Sequence, residues 1–445
     1  MTYTNFFNAE WANGQINTIK VKAQNRYRED LNINTVTTTV FDSIQRNTNF
    51  KNELTNLKDN LKKINLDLNT FNDTKINEKD KFVSLKESIT KLSTLIQEII
   101  CNQTTIINWK LINNLATQAY NTFNDFGKEI SIKDKIKVEE IRNISFNLLP
   151  IIRFTESESD TSIFSNAQFV LLTGEGGVGK THLLCETVIN QLKNNKNNAV
   201  IIFGEYLGKT NDIWSEIIRQ LNLPSSNNPV DDLFYSLNQT AVNNNDRALF
   251  IIDALNETQK NNYWNEQLPL VINKIKKYPN IVLVISITTG YELILNQEIQ
   301  KVFEKCKHSG FRSKIWAAMK LYFDEYQIPL SDIPVLNNEF ENPLFLNLYC
   351  ESINHKIKNN KKNLPEDEIF KGHVGFTYIF EHYIKALTKS LAKQFNLPQG
   401  KINGAHLIWD SLFDNIAAHM IDKNTTKISE KALLELINNK IIDNQ

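Results

Sequence analysis

Phe169-Val170-Leu171-Leu172-Thr173-Gly174-Glu175-Gly176-Gly177-Val178-Gly179-Lys180-Thr181-His182 is the stretch on which the reading of this chain turns. Its apolar opening predicts a buried strand, its glycines a tight loop, and Lys180-Thr181 the entry into a helix over Thr181–Leu192. Strand, glycine loop and helix in that order make a phosphate cradle. The loop's N–H groups and the helix N-terminus attract an anion, Lys180 neutralises the outer phosphates, and the Thr181 hydroxyl suits Mg²⁺. Gly174, Glu175, Gly176, Gly177, Val178, Gly179, Lys180, Thr181 and His182 are therefore the candidate nucleotide-binding residues, with ATP and Mg²⁺ as the ligands to test. His182 reads as a residue that packs or hydrogen-bonds beside the loop rather than as a base.

A second apolar run, Leu249-Phe250-Ile251-Ile252-Asp253, ends in a carboxylate. That is the pattern of a strand presenting a magnesium ligand next to Thr181, so Thr181 and Asp253 form the candidate metal pair. Four residues on, Glu257 is the candidate to orient or deprotonate an attacking water. Lys180, Asp253 and Glu257 are the expected catalytic set. The alternative, glycines that only turn and an aspartate that only caps a helix, does not explain both halves occurring together.

Around these motifs the pattern alternates. Strands are expected at Ala199–Phe203, Ala248–Asp253 and Ile281–Ile287, with helices at Asp212–Leu221, Asp231–Val242 and Trp264–Lys277. Short, almost wholly apolar strands between amphipathic helices predict a parallel sheet covered on both faces. The expected fold is an α/β P-loop NTPase domain over 163–297, with an N-terminal helical bundle and a C-terminal all-helical lid over 298–445. No clear strand is expected after 298.

Upstream, residues 1–45 read as a short, mixed and polar segment. Between 46 and 150 a bundle is expected. Leu54, Leu57, Leu61, Ile64, Leu68 and Phe71, then Phe82, Leu85, Ile89, Leu92, Ile96 and Ile99, repeat at three- and four-residue steps on either side of a polar break. They fit a helical hairpin that buries its own seam better than a stalk for another chain. Ile106, Trp109, Ile112, Leu115 and Phe123 mark a third helix, Lys133–Leu149 a fourth, and Thr155–Ser162 a polar linker.

Composition sets outer limits. Fifty basic residues balance fifty acidic ones, so charge does not indicate a nucleic-acid or anionic-membrane partner. Tyr3, Trp11 and Tyr27 are aromatic enough to stack on bases but have no basic groove beside them. The first residues, Met1-Thr2-Tyr3-Thr4-Asn5-Phe6, show no basic region followed by an apolar run, and nowhere are eighteen apolar residues consecutive, so a cytoplasmic location is expected. Cys101, Cys185, Cys306 and Cys350 lie far apart and read as core residues. His373, His382, His406 and His419 lack partners at metal-ligand spacing.

The motifs together resemble a known family. Gly174–Thr181 with His182-Leu183-Leu184, the Asp253-to-Glu257 spacing, and Glu341-Asn342-Pro343-Leu344-Phe345-Leu346 look like the NACHT-type branch of the STAND signal-transduction ATPases. His308-Ser309-Gly310-Phe311 and Asn25-Arg26-Tyr27-Arg28-Glu29-Asp30-Leu31-Asn32 are similar to segments of the bacterial antiviral STAND defence proteins. The resemblance implies that Pro343 lies over the nucleotide from the lid. It also implies an ATP-dependent switch that becomes a homo-oligomer on activation, working with effector and sensor modules not encoded in this chain. Two departures matter. Thr288 stands where relatives carry a basic sensor residue, which implies slow hydrolysis, and neither 1–45 nor 436–445 is long enough for an effector or a repeat-built sensor. A DNA-associated AAA-like ATPase that loads or remodels a partner, with a winged-helix module beginning near 426, is the competing reading. A catalytically weak nucleotide-binding scaffold is the third.

Overall fold

The apolar runs form strands where their β-branched content and glycine boundaries place them. In a computed structural model these are β1 Phe169–Gly174, β2 Ala199–Phe203, β3 Ala248–Asp253 and β4 Ile281–Thr288. The structure describes residues 7–70, 79–102, 106–130, 146–156, 160–194, 196–223, 226–258, 260, 262–328, 338–359 and 415–422, with 428, 432, 433 and 435. A fifth strand, β5 Glu304–Lys307, corrects the expectation of no strand beyond 298. Only Cys306 of its four residues is buried, so no hydrophobic pattern announces it. Backbone pairing with β1, from Val170↔Glu304 to Thr173↔Lys307, makes it a strand. Its exposed lysines suit an edge position.

All strand pairs are parallel, in the order β2-β3-β4-β1-β5. Parallel neighbours need crossovers, which the helices Lys180–Lys193, Ile213–Gln220, Pro229–Asn244 and Tyr263–Ile275 supply. Alternate strand residues face opposite sides, and both sides are packed. Leu171, Ile202, Phe250, Ile252, Leu283 and Ile285 face one core, closed by Ile217, Phe234, Leu237, Trp264 and Val271. Val170, Leu172, Ile201, Leu249, Ile251 and Val284 face the other.

That second face is where the chain's beginning goes. Two helices, α1 Ala9–Ala23 and α2 Val36–Gln45, press Ala12, Ile19, Ala23, Val40, Phe41 and Ile44 against it, beside Leu184, Val188 and Ile189 of the loop helix. Residues 9–45 are a layer of the α/β core rather than a short polar lead. Two buried guanidiniums lock the seam. Arg46 donates from Nε to the Ser165 carbonyl at 2.9 Å, and Arg247 donates to the Ile44, Ser165 and Ala167 carbonyls. Burial alone holds Arg46 down at about 10, and burial with the neighbouring Arg46 charge holds Arg247 down at about 9.

The helical hairpin forms as the seam predicts. Thr48–Thr70 and Lys79–Cys101 bury Leu54, Leu57, Leu61, Ile64 and Leu68 against Leu85, Ile89, Leu92, Ile96 and Ile99, and Trp109–Ile130 adds Trp109, Ile112 and Phe123. The seam is satisfied within the chain. Ile106 is a correction, 84% exposed and ahead of the third helix rather than on its buried stripe. Phe71 and most of the expected helix Lys133–Leu149 lie outside the described residues, although 146–154 are helical, and Phe82 falls within the second hairpin helix as expected. The expected linker Thr155–Ser162 is corrected too: Thr155 and Ser162 are buried, and a helix starts at Asp160.

The chain divides into two compact units, one of Met1–Ile315 with Glu341–Pro343 and one of Trp316–Phe340 with Leu344–Gln445. In the second unit the described helices pack through aromatic rings, Phe340 against Tyr349 at 5.0 Å and Phe323 against Tyr349 at 6.1 Å. His373, His382 and His406 lie outside the described residues.

Candidate functional site

Among the described residues no group of three or more His, Cys, Asp or Glu side chains is placed to hold a metal by itself. No described helix is long and apolar enough to cross a membrane. The candidate residues gather at the end of the sheet where β1, β3 and β4 finish.

The loop after β1 has the form of a cradle. Lys180 Nζ folds back to donate to the Gly174 and Glu175 carbonyls at 2.7 and 3.0 Å. A lysine held this way spans the loop it must share with a phosphate chain. Burial lowers its pKa, against the pull of Asp253, Glu175 and Glu257. Gly179 sits at φ 94°, open to glycine at little cost, and a Cβ there would come within 3.4 Å of the Pro343 ring and 3.7 Å of His308 Nε2. A Cβ on Gly176 would meet nothing within 4 Å, so that side of the loop is open to a ligand. Pro343 and the loop belong to one compact unit, and Asn342 Nδ2 also donates to the Gly176 carbonyl at 3.2 Å.

Asp253 ends β3 fully buried. It accepts from Thr181 Oγ1 at 2.7 Å and from Ser286 Oγ at 2.5 Å, while Ser286 Oγ accepts the Ala254 N–H at 2.7 Å. Burial raises the Asp253 pKa, and the Ser286 and Thr181 hydrogen bonds oppose the rise. A hydroxyl and a carboxylate this close are hard oxygen donors that suit Mg²⁺, and two protein oxygens with phosphates completing the shell is its usual arrangement. The cradle thus fits a magnesium nucleotide on geometry and donor chemistry.

Glu257 lies on a one-turn 3₁₀ segment, Leu255–Glu257, entered through Ala254 at φ 56°. The turn lifts the carboxylate off the strand end. There it meets Arg26, which donates from one terminal nitrogen to Glu257 Oε2 at 2.9 Å and from the other to the Glu205 carboxylate. Burial raises the Glu257 pKa, Arg26 acts against this, and Asp253 and Glu205 add to it. At Arg26 burial works to lower the pKa, and the two carboxylates more than compensate.

Further residues brace the loop from behind. The His308 N–H, after β5, donates to the Thr173 carbonyl at 2.7 Å, and Nδ1 shares a 2.9 Å hydrogen bond with Thr37 Oγ1 on α2. Burial pushes His308 down to about 4, so it is neutral near pH 7. Gly310, at φ 73°, accepts no side chain, because a Cβ would run into the Glu341 carbonyl. His182 packs against Tyr27 with ring centres 5.2 Å apart, and its buried Nε2 has no hydrogen-bond partner among the described residues. Tyr27 donates to Glu186 at 2.6 Å, and Trp11 donates from its indole to the Leu221 carbonyl at 3.2 Å. These two aromatics are packed rather than presented as a stacking platform.

A family model described as an AAA domain matches residues 162–288. Those residues form an AAA-type P-loop NTPase domain. The chain matches no curated protein. The domain's sheet brings Lys180, Thr181 and Asp253 together, with Glu257 at the same end and Pro343 over Gly179. Thr288 ends β4, its N–H donating to Asn256 Oδ1 at 3.0 Å, and supplies no charge. Sequence reasoning missed Arg26, Glu205, Ser286 and the bracing role of His308. Arg26 and His308 lie within motifs it had quoted, whereas Ser286 and Glu205 carried no signal of their own.

Proposed function

We propose that this protein is an ATP-dependent conformational switch of the signal-transduction ATPase kind, slow in hydrolysis, that assembles with copies of itself when ATP is held. The observation that carries the reading is the Thr181–Asp253 pair beside Lys180, with Glu257 at the same end of the sheet and Pro343 against the loop at Gly179. Lys180 and the loop would bind the phosphates, Thr181 and Asp253 would hold Mg²⁺, and Glu257 would orient the water. Mg²⁺, when bound, supplies charge neutralisation between the outer phosphates. A segment that touches the phosphate loop and continues directly into another compact unit supports a switch, because a ligand shifts a conformational equilibrium only through contacts that differ between its states.

In this reading the setting is bacterial anti-phage defence, the family being the NACHT-type STAND proteins, with sensor and effector functions supplied by other modules. Calorimetric titration with ATP and Mg²⁺, followed by mass photometry with and without a slowly hydrolysed analogue, tests it. Micromolar binding and analogue-dependent assembly are expected, and absence of ATP binding removes the reading. The AAA match also suits an ATPase that loads or remodels a partner on DNA. ATP-dependent, salt-sensitive DNA binding would favour that second reading.

A further inference from the structure

We propose that Arg26 is a positioning residue for hydrolysis: from the 3₁₀ turn Gln24–Arg26 that follows α1 it fixes the Glu257 carboxylate in the pose that orients the attacking water. The N-terminal helix thereby becomes part of the ATPase site. The proposal rests on the ATPase reading above.

The geometry is that of a fork held at both ends. On the protein side Arg26 Nε donates to the Ala23 carbonyl at 3.4 Å and a terminal nitrogen to the Lys22 carbonyl at 3.3 Å, both at the close of α1. On the other side the two terminal nitrogens reach Glu257 and Glu205. These residues are 231 and 179 positions away in sequence. A planar guanidinium can make these bonds simultaneously, which an ammonium cannot. The support is itself anchored. Gln15 Nε2 donates to the Leu221 carbonyl at 2.6 Å, Lys22 Nζ to the Gln220 carbonyl at 3.3 Å, and Ala12, Ile19 and Ala23 are buried against the sheet.

Arg26 engages Oε2 of Glu257, and Oε1 accepts no hydrogen bond among the described residues. One oxygen is therefore fixed and the other is free for water. The Glu257 side chain keeps 40% exposure, enough for a water to reach it. Three carboxylates converge here, Glu205 from the end of β2, Asp253 from β3 and Glu257 itself, with Lys180 on the loop side. Crowded carboxylates tend to share a proton. A protonated Glu257 could not accept one from water, and Arg26 opposes that protonation. In hydrolysis the water oxygen bonds to the γ-phosphorus, the bond from that phosphorus to the bridging oxygen of ADP breaks, and Glu257 Oε1 takes the water proton.

The test uses the full chain, with ATP·Mg²⁺ binding and steady-state hydrolysis measured for the unmutated protein, Arg26→Ala, Arg26→Lys, Glu257→Gln and Arg26→Ala/Glu257→Gln. Expected for Arg26→Ala is an ATP affinity close to that of the unmutated protein and a kcat lower by on the order of 100-fold. Arg26→Lys should restore only part of that rate, and the double variant should be no slower than Glu257→Gln alone. Three results overturn the proposal: faster turnover in Arg26→Ala, affinity lost in step with rate, or an undiminished Arg26 effect when Glu257 is already glutamine. ATP binding with no turnover in the unmutated protein overturns it as well, while leaving the nucleotide reading intact. Failure of the unmutated protein to bind ATP removes that reading instead. Should Arg26→Ala not fold, an Arg26→Lys variant with unchanged kcat overturns the proposal.

Discussion

In the proposed site, the half assigned to phosphate and the half assigned to water are built in opposite ways. Gly174 to Thr181 are consecutive, and Asp253 reaches them because β4 alone separates β1 from β3 in a parallel sheet. The water half joins Glu257 and Glu205 to Arg26, which arrives from an N-terminal helix packed on the sheet face. A phosphate cradle can be assembled by one turn of chain because its donors are mostly backbone. A water-orienting carboxylate needs neighbours of chosen charge, and these come from wherever the fold can bring them.

Separate substitutions should break the two halves separately. The largest effect is expected in the water half: Glu257→Gln should lower kcat by about 10²–10⁴-fold in a steady-state assay, with ATP affinity little changed. An equal loss of affinity would show that the halves are one unit. In the phosphate half Lys180→Ala should cost on the order of 100-fold in ATP affinity by calorimetry, about 3 kcal/mol.

The brace behind the loop titrates. His308 is held at about 4 in the folded protein, against roughly 6.5 for an exposed imidazole. The unfolded chain therefore takes up a proton first, and stability falls as pH drops from about 6.5 toward 4. The loss reaches up to ~3 kcal/mol below that window. Denaturant unfolding at pH 7 and pH 4.5 should show this component, and its size should shrink in His308→Gln.

Smaller effects probe the supports. Ser286→Ala removes one of two hydrogen bonds that favour the ionised Asp253, and should weaken Mg²⁺-dependent nucleotide binding by about tenfold in a magnesium titration. Thr37→Val, which leaves His308 Nδ1 without its hydroxyl partner, should lower the unfolding free energy by about 1 kcal/mol without changing ATP affinity. A loss of affinity in Thr37→Val would show that α2 acts on the phosphate half through His308.

Reading from residues picked out the loop, Asp253, Glu257 and four of the five strands, because each lies in a local pattern of apolar runs, glycines or spaced carboxylates, whereas Pro343 entered only through the family resemblance. β5 escaped because an edge strand of Glu304-Lys305-Cys306-Lys307 is defined by its hydrogen bonds to β1 and not by burial. Residues 9–45 looked too polar for a core layer because only one stripe of each helix is buried. Ser286 was hidden in an apolar strand, where a buried hydroxyl has meaning only once Asp253 is known to lie beside it.

The sequence by itself determined the cradle, since a strand, a glycine loop and Lys180-Thr181 need only neighbouring residues to take shape. The tertiary structure alone decided what stands across from Glu257. Arg26 pairs with it because α1 buries its apolar stripe on the sheet and ends beside β2 and β3, and no local pattern encodes a meeting across 231 positions.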